Sequence, residues 1–252
     1  MEVHHHSHTA DPDSHRGKKK WTHYIWEFLM LFLAVFCGFL AENQREHMVE
    51  HKREKQFMQD LLQDLKRDST ALALEIRLRI RRSMRADSLI MELDSADKII
   101  NTANIYLHAY YLTPLRIFGY SNVTIEQLKN SGSMRLIKKK GVADKVTSYD
   151  IAVQQYKTRE EEEREILLEY RKAICFLLNA RTLLAMEDST NLNIYKMPET
   201  NVPLLTKEPA ILNLVKGLAA QIHTRNEVLN YSLKLLLKQN HALSEFVKKE
   251  YH

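Results

Sequence analysis

Glycine and proline are scarce, at six and five in 252 residues, well under the ~12% usual for soluble domains. They are also unevenly spread: neither occurs between Gly38 and Pro114, between Gly141 and Pro198, or after Gly217. A β-sandwich, a barrel or a doubly wound sheet needs turn residues every ~8–12 positions, or glycines in its strand-to-helix loops. Those folds are excluded, and the chain reads as all-α with long helices. The same shortage excludes glycine-rich phosphate cradles, which need positive φ and close backbone approach, so no cofactor is implied. Cysteine is nearly absent; Cys37 and Cys175 make no disulfide framework. No charge sign dominates, since 37 Lys and Arg against 32 Asp and Glu leave +5. That is short of a dedicated nucleic-acid binder, so nucleic acid is not an expected partner. At 44% hydrophobic and 27% charged, the composition is that of an ordered chain.

What is present begins with one apolar run. Residues 28–41 (FLMLFLAVFCGFLA) carry no charge, and extension back to Tyr24 admits only Glu27. Eighteen residues at 1.5 Å each make about 27 Å, enough for a hydrocarbon core. Lys18, Lys19 and Lys20 precede the run, and Trp21, Tyr24 and Trp26 stand where an interfacial aromatic belt belongs. Signal-peptide cleavage needs small residues that Phe36 and Phe39 do not supply. The expectation is a disordered basic tail over 1–20, an uncleaved transmembrane helix over 21–41, and a helical bundle with a stalk over 42–252. Lys and Arg counts on the two sides tie, and the three lysines touching the N-terminal edge break the tie. They place the N-terminus in the cytoplasm and the bundle in the periplasm, with the inner membrane as location. Ala34, Gly38 and Ala41 share one small-residue face with Glu27, a pattern that suits self-association of spans in the bilayer.

Beyond the span the apolar residues keep helical spacing. Phe57, Leu61 and Leu65 form one line. Leu72, Leu74, Ile76, Leu78 and Ile80 alternate as in a strand, but the lack of turn residues on either side predicts helix; Asp68-Ser69-Thr70 is a point where it could break. A helix is expected over 95–112, ended by Pro114. Thr124 to Gln127 matches a capping box, and Gly132 reads as the glycine after a helix end. Gly141 opens the longest heptad tract: Val142, Tyr149, Tyr156, Glu163, Tyr170, Leu177 and Leu184 in one seam position, Val146, Val153, Glu160, Leu167, Ile174 and Arg181 in the other. A loop over 187–207 follows, and a last helix opens at Pro209, lined by Val215, Ile222, Leu229, Leu236 and Leu243. The architecture expected is an elongated antiparallel helical bundle or coiled coil.

Few residues suggest chemistry. His47, Glu50 and His51 match H-x-x-E-H, an inverted zinc-protease motif that needs a third ligand and a cleft. Arg77, Arg79, Arg81, Arg82 and Arg85 could contact a polyanion; the alternative is a solvated face, or pairing with the acidic run at 160–163 across the bundle. His4, His5, His6, His8 and His15 could hold Zn, Ni or Cu, with the run interrupted at Ser7. Asn122 and Asn230 begin glycosylation sequons by pattern. No catalytic, cofactor or metal residue is assigned, and no enzyme activity is expected.

Three stretches, MEVHHHSH, EFLMLFLAVFCGFLAENQREHMVEHKREKQFMQDLLQDLK and TIEQLKNSGSMRLI, resemble a family of small uncharacterised single-span membrane proteins of Bacteroidetes-type bacteria. The resemblance covers most of residues 1–140. It implies the His-rich start, the early span and a glycine-marked helical hairpin, and it carries no site residues. The expected role is protein–protein interaction at a bacterial envelope, as scaffold, sensor-like module or complex subunit, with the lipid bilayer, further copies of the chain or other membrane proteins as partners.

Overall fold

The computed structural model describes residues 21–95, 102–187, 196–198 and 202–251. The tail over 1–20, with its histidines, lies outside the described residues, as do parts of the 187–207 segment. The described chain is all-helical: α1 (Trp21–Asp94), α2 (Thr102–Tyr111), α3 (Val123–Asn130), a 3-10 turn (Ser133–Leu136), α4 (Val142–Leu177), α5 (Ala180–Met186) and α6 (Pro209–Tyr251). α1 runs through Asp68-Ser69-Thr70 without interruption. With neither glycine nor proline there, the ladder is unbroken.

The chain divides into two units, one through Lys52 and one from Arg53. In the first, residues 21–49 are all exposed. Its most apolar 18-residue window has a mean hydropathy of 2.1, and none of it is covered by protein. Among the described residues, α1 is the helix long and apolar enough to cross a membrane. Phe28, Phe32 and Phe36 stack along it, with centroids 6.3 and 5.8 Å apart. His23 and Glu27 pair at 3.0 Å.

The second unit is held by three long helices. Met58, Leu61, Leu65 and Leu72 of α1 pack with Val142 to Tyr156 of α4 and Leu229 to Val247 of α6. Further along, Ala86, Leu89 and Leu93 pack with Leu167 to Leu177 and with Leu212 to Ile222. Residue numbers therefore rise together along α1 and α4 and fall along α6. The antiparallel arrangement expected from the sequence holds for α6, whereas α1 and α4 are parallel. Parallel neighbours need a long return, and residues 112–138 make it, descending beside α1 through α3.

Both seams of α4 are buried from Val142 to Leu177, the three tyrosines included. The helix stops there, so the last heptad corrects: Leu178 is extended, Arg181 and Leu184 are exposed, and Asn179 caps α5 by accepting from the amides of Arg181 and Thr182. The helix expected over 95–112 is α2, with 96–101 outside the described residues. The α6 line at 215, 222, 229, 236 and 243 is buried throughout. Asn230, a sequon residue, is also buried.

The 72–80 alternation is helical, and its buried face is Leu72, Glu75, Arg79 and Arg82. Two other members of the same alternation, Leu74 and Ile80, face outward at 49% and 42% exposure.

The capping box also corrects. Thr124 lies inside α3, and the cap residue Asn122 makes no side-chain cap. The amide of Thr124 donates instead to Asp64 of α1 at 3.1 Å, and that of Ser121 to Asp68 at 2.8 Å. Gly132 follows α3 at φ +64 and Gly141 precedes α4 at φ +80, the left-handed region that costs an L-residue ~1–2 kcal/mol. A Cβ at Gly132 would meet nothing within 4 Å. Gly132→Ala should therefore lower unfolding free energy by about 1 kcal/mol through backbone conformation alone, and Gly132→Asn by less; urea titration of the full chain in detergent reads the difference.

Candidate functional site

Between the two apolar clusters all three helices turn polar at one level. Glu75, Arg79, Arg82 and Ser83 on α1 meet Glu160 and Glu163 on α4 and Asn226 on α6, every one of them buried. Arg79, fully buried, donates from Nη1 to Glu163 at 3.1 Å and to Asn226 Oδ1 at 3.2 Å. Its Nε lies 3.3 Å from Glu75. Arg82 donates to Glu163 at 2.9 Å and to the carbonyl of Leu112 at 2.8 Å. Arg116, on the return segment, grips Glu75 with two bonds of 2.9 and 3.1 Å. The amide of Phe118 donates to Glu160 at 3.0 Å. Asn226 closes the layer by donating to the carbonyl of Arg79 at 2.5 Å and to Ser83 Oγ at 2.7 Å.

Three guanidiniums thus face three carboxylates. Isolated, any of these charges would cost several kcal/mol to bury; paired and hydrogen-bonded, they persist. Burial pushes Arg82 down to about 10, which leaves it cationic at neutral pH. Burial also opposes the charge of Arg79, but Glu163, Tyr156 and Glu75 hold it above its ordinary value. Burial raises Glu160, against the hydrogen bond from the Phe118 amide and the charge of Arg79.

A second polar group lies toward the Arg53 end. Asp68 accepts from Ser121 and from Tyr149 Oη at 3.1 Å. Asn240 of α6 donates to Tyr149 Oη and to the carbonyl of Leu65. Burial pushes Asp68 up to about 6. Toward the other end, buried His108 stands between Arg85, 3.0 Å from Nδ1, and Glu92, 3.5 Å from Nε2. Burial and then Arg85 push it down to about 4, so the ring is neutral and accepts at Nδ1.

The arginine cluster therefore splits. Arg79 and Arg82 are internal, taken up by the 160–163 run, and cannot meet an outside polyanion. Arg77 and Arg81 are exposed, and Arg85 is half-buried. Sequence reasoning saw Glu160 and Glu163 in the α4 seam but missed Glu75, Arg116, Asn226, Asp64 and Asp68; of these, only the helical spacing of Glu75, Arg79 and Arg82 was a signal. His47 and His51 are exposed, and His47 Nδ1 lies 3.8 Å from Glu50. Among the described residues no three or more His, Cys, Asp or Glu are grouped to hold a metal, so the motif gains no third ligand there. Glu27, Ala34, Gly38 and Ala41 are exposed, and a Cβ at Gly38 would meet nothing.

Three concave surfaces of the second unit are open grooves. One of about 920 Å³ runs beside α3, with Phe57 and Val123 among carboxamides. Another, of about 610 Å³ between α1 and α6, is bridged by Ser69 and His241 at 2.9 Å. A third, of about 590 Å³, follows the outer face of α1. The chain matches no family model, no curated protein and no solved structure.

Two outcomes follow from the polar layers. Glu163→Leu strands two buried guanidiniums and should cost about 3–5 kcal/mol of unfolding free energy, read by denaturant titration. Asp68 gains a proton on folding between about pH 4 and pH 6, so its contribution is favourable below about pH 4 and is lost as pH rises through about 6. The stability of wild type relative to Asp68→Asn should fall by about 2 kcal/mol from pH 4 to pH 7. His108 contributes with opposite sign, losing stability as pH falls through the same range, and cancels in that comparison.

Proposed function

We propose that this protein is a membrane-anchored helical module that works through protein–protein contact and carries no catalytic step. The observation behind this reading is the uncovered apolar stretch of α1, followed in the same helix by a unit whose central buried carboxylates and guanidiniums are engaged with one another. An apolar helix of that length without protein cover is stable in lipid, where its backbone is satisfied internally. The buried carboxylates and guanidiniums are held by partners in the bundle, as structural groups are, and do not converge on a cleft where a substrate could sit.

In this reading the span crosses the inner membrane once, with Lys18, Lys19 and Lys20 on the cytoplasmic side and the bundle in the periplasm. The face of Glu27, Ala34, Gly38 and Ala41 supports self-association of spans, since small residues let helix backbones approach. Topology is tested by alkaline-phosphatase and fluorescent-protein fusions at the C-terminus, with carbonate extraction of the membranes. The expected outcome is a carbonate-resistant, phosphatase-positive, non-fluorescent fusion. A fluorescent, phosphatase-negative fusion makes it a cytoplasm-facing tethered module, and release by carbonate removes the anchor altogether.

A further inference from the structure

We propose that the outward face of α1 from Leu74 to Met91 is the docking surface for an acidic amphipathic helix of a partner protein, an inference that rests on the interaction role above. Leu74, Arg77, Arg81, Met84, Ser88 and Met91 recur at alternating steps of three and four residues, which draws one straight line along a helix. The apolar members are uncovered: Leu74 is 49%, Met84 63% and Met91 70% exposed. Among the described residues Arg77 and Arg81 make no ion pair or hydrogen bond. Arg85 extends the basic row, its guanidinium 5.0 Å from the Tyr111 ring centroid.

The groove along this line, about 590 Å³, is lined by side chains that include no carboxylate. Of the acids on the flank, Asp94 pairs with Lys216 at 2.5 Å, Asp87 lies 2.9 Å from His223 Nδ1, and Glu92 lies 3.5 Å from His108, on the side of Arg85. The face therefore offers apolar contact and, at Arg77 and Arg81, positive charge without a partner in one strip, and methionine and arginine are residue types that interfaces favour. Its complement is a helix with apolar residues at matching spacing, flanked by Asp or Glu able to take guanidinium forks. A bilayer surface fits less well. Two adjacent guanidiniums, Arg77 and Arg81, sit between Leu74 and Met84 in a row one residue wide, on a helix whose other face is locked in the core. The row cannot sink into lipid while its charges stay among headgroups.

The test places the photo-crosslinker p-benzoylphenylalanine at position 84, and separately at Tyr231 on the exposed face of α6, in the full chain in cells. Crosslinked segments are identified by mass spectrometry. The expected result at position 84 is an adduct to a helical segment rich in Asp and Glu, reduced about tenfold by Arg77→Glu/Arg81→Glu. That double variant should keep its helical circular-dichroism signal and thermal midpoint, because neither arginine holds a partner within the fold. An adduct to lipid, to a second copy of this chain or to a segment without acidic excess overturns the proposal, as does an adduct indifferent to charge reversal. No adduct at 84 with one at 231 removes this surface and leaves the interaction role standing; no adduct at either position removes both.

Discussion

The second unit depends on the pairing of Arg79 and Arg82 with Glu163. Apolar seams alone specify that helices associate but leave register loose, because one Leu layer resembles the next. A buried charge is less forgiving. Sliding α4 by one turn against α1 would take Glu163 away from both guanidiniums, which costs several kcal/mol. Glu160, Glu75 and Asn226 extend the same constraint to the return segment and to α6. The two apolar clusters on either side are thereby aligned by a layer that contributes little apolar burial itself.

The return segment explains why acidic residues line the inner side of α1. Residues 112–138 are only partly helical, and their backbone amides need acceptors once packed against a helix whose own carbonyls are already used. Carboxylates supply them: Glu160 for Phe118, Asp68 for Ser121, Asp64 for Thr124 and Glu54 for Lys138. These side chains hold the connection that lets α1 and α4 run parallel. Asp68 shows the cost, since its burial raises the pKa of the very group that caps the turn.

Much of this was legible in the sequence. The scarcity of glycine and proline meant helices, and the two glycines that flank turns, Gly132 and Gly141, were readable because positive φ excludes most other residues. The α4 and α6 seams followed from seven-residue spacing up to Leu177. Elsewhere local patterns misled. The capping box at Thr124 was satisfied from α1, about sixty residues upstream in the chain, and the alternation at 72–80 concealed a face built of Glu75, Arg79 and Arg82.

The sequence by itself determined the all-helical class, the apolar stretch at 28–41 and the placement of the main seams, because each rests on local backbone preference and side-chain periodicity. Only the tertiary structure decided which arginines lie inside, that α1 and α4 are parallel, and which carboxylates cap which amides. The free energy of a buried charge or an unmet amide depends on the group opposite it. That group comes from another helix, at a distance along the chain that no local pattern encodes.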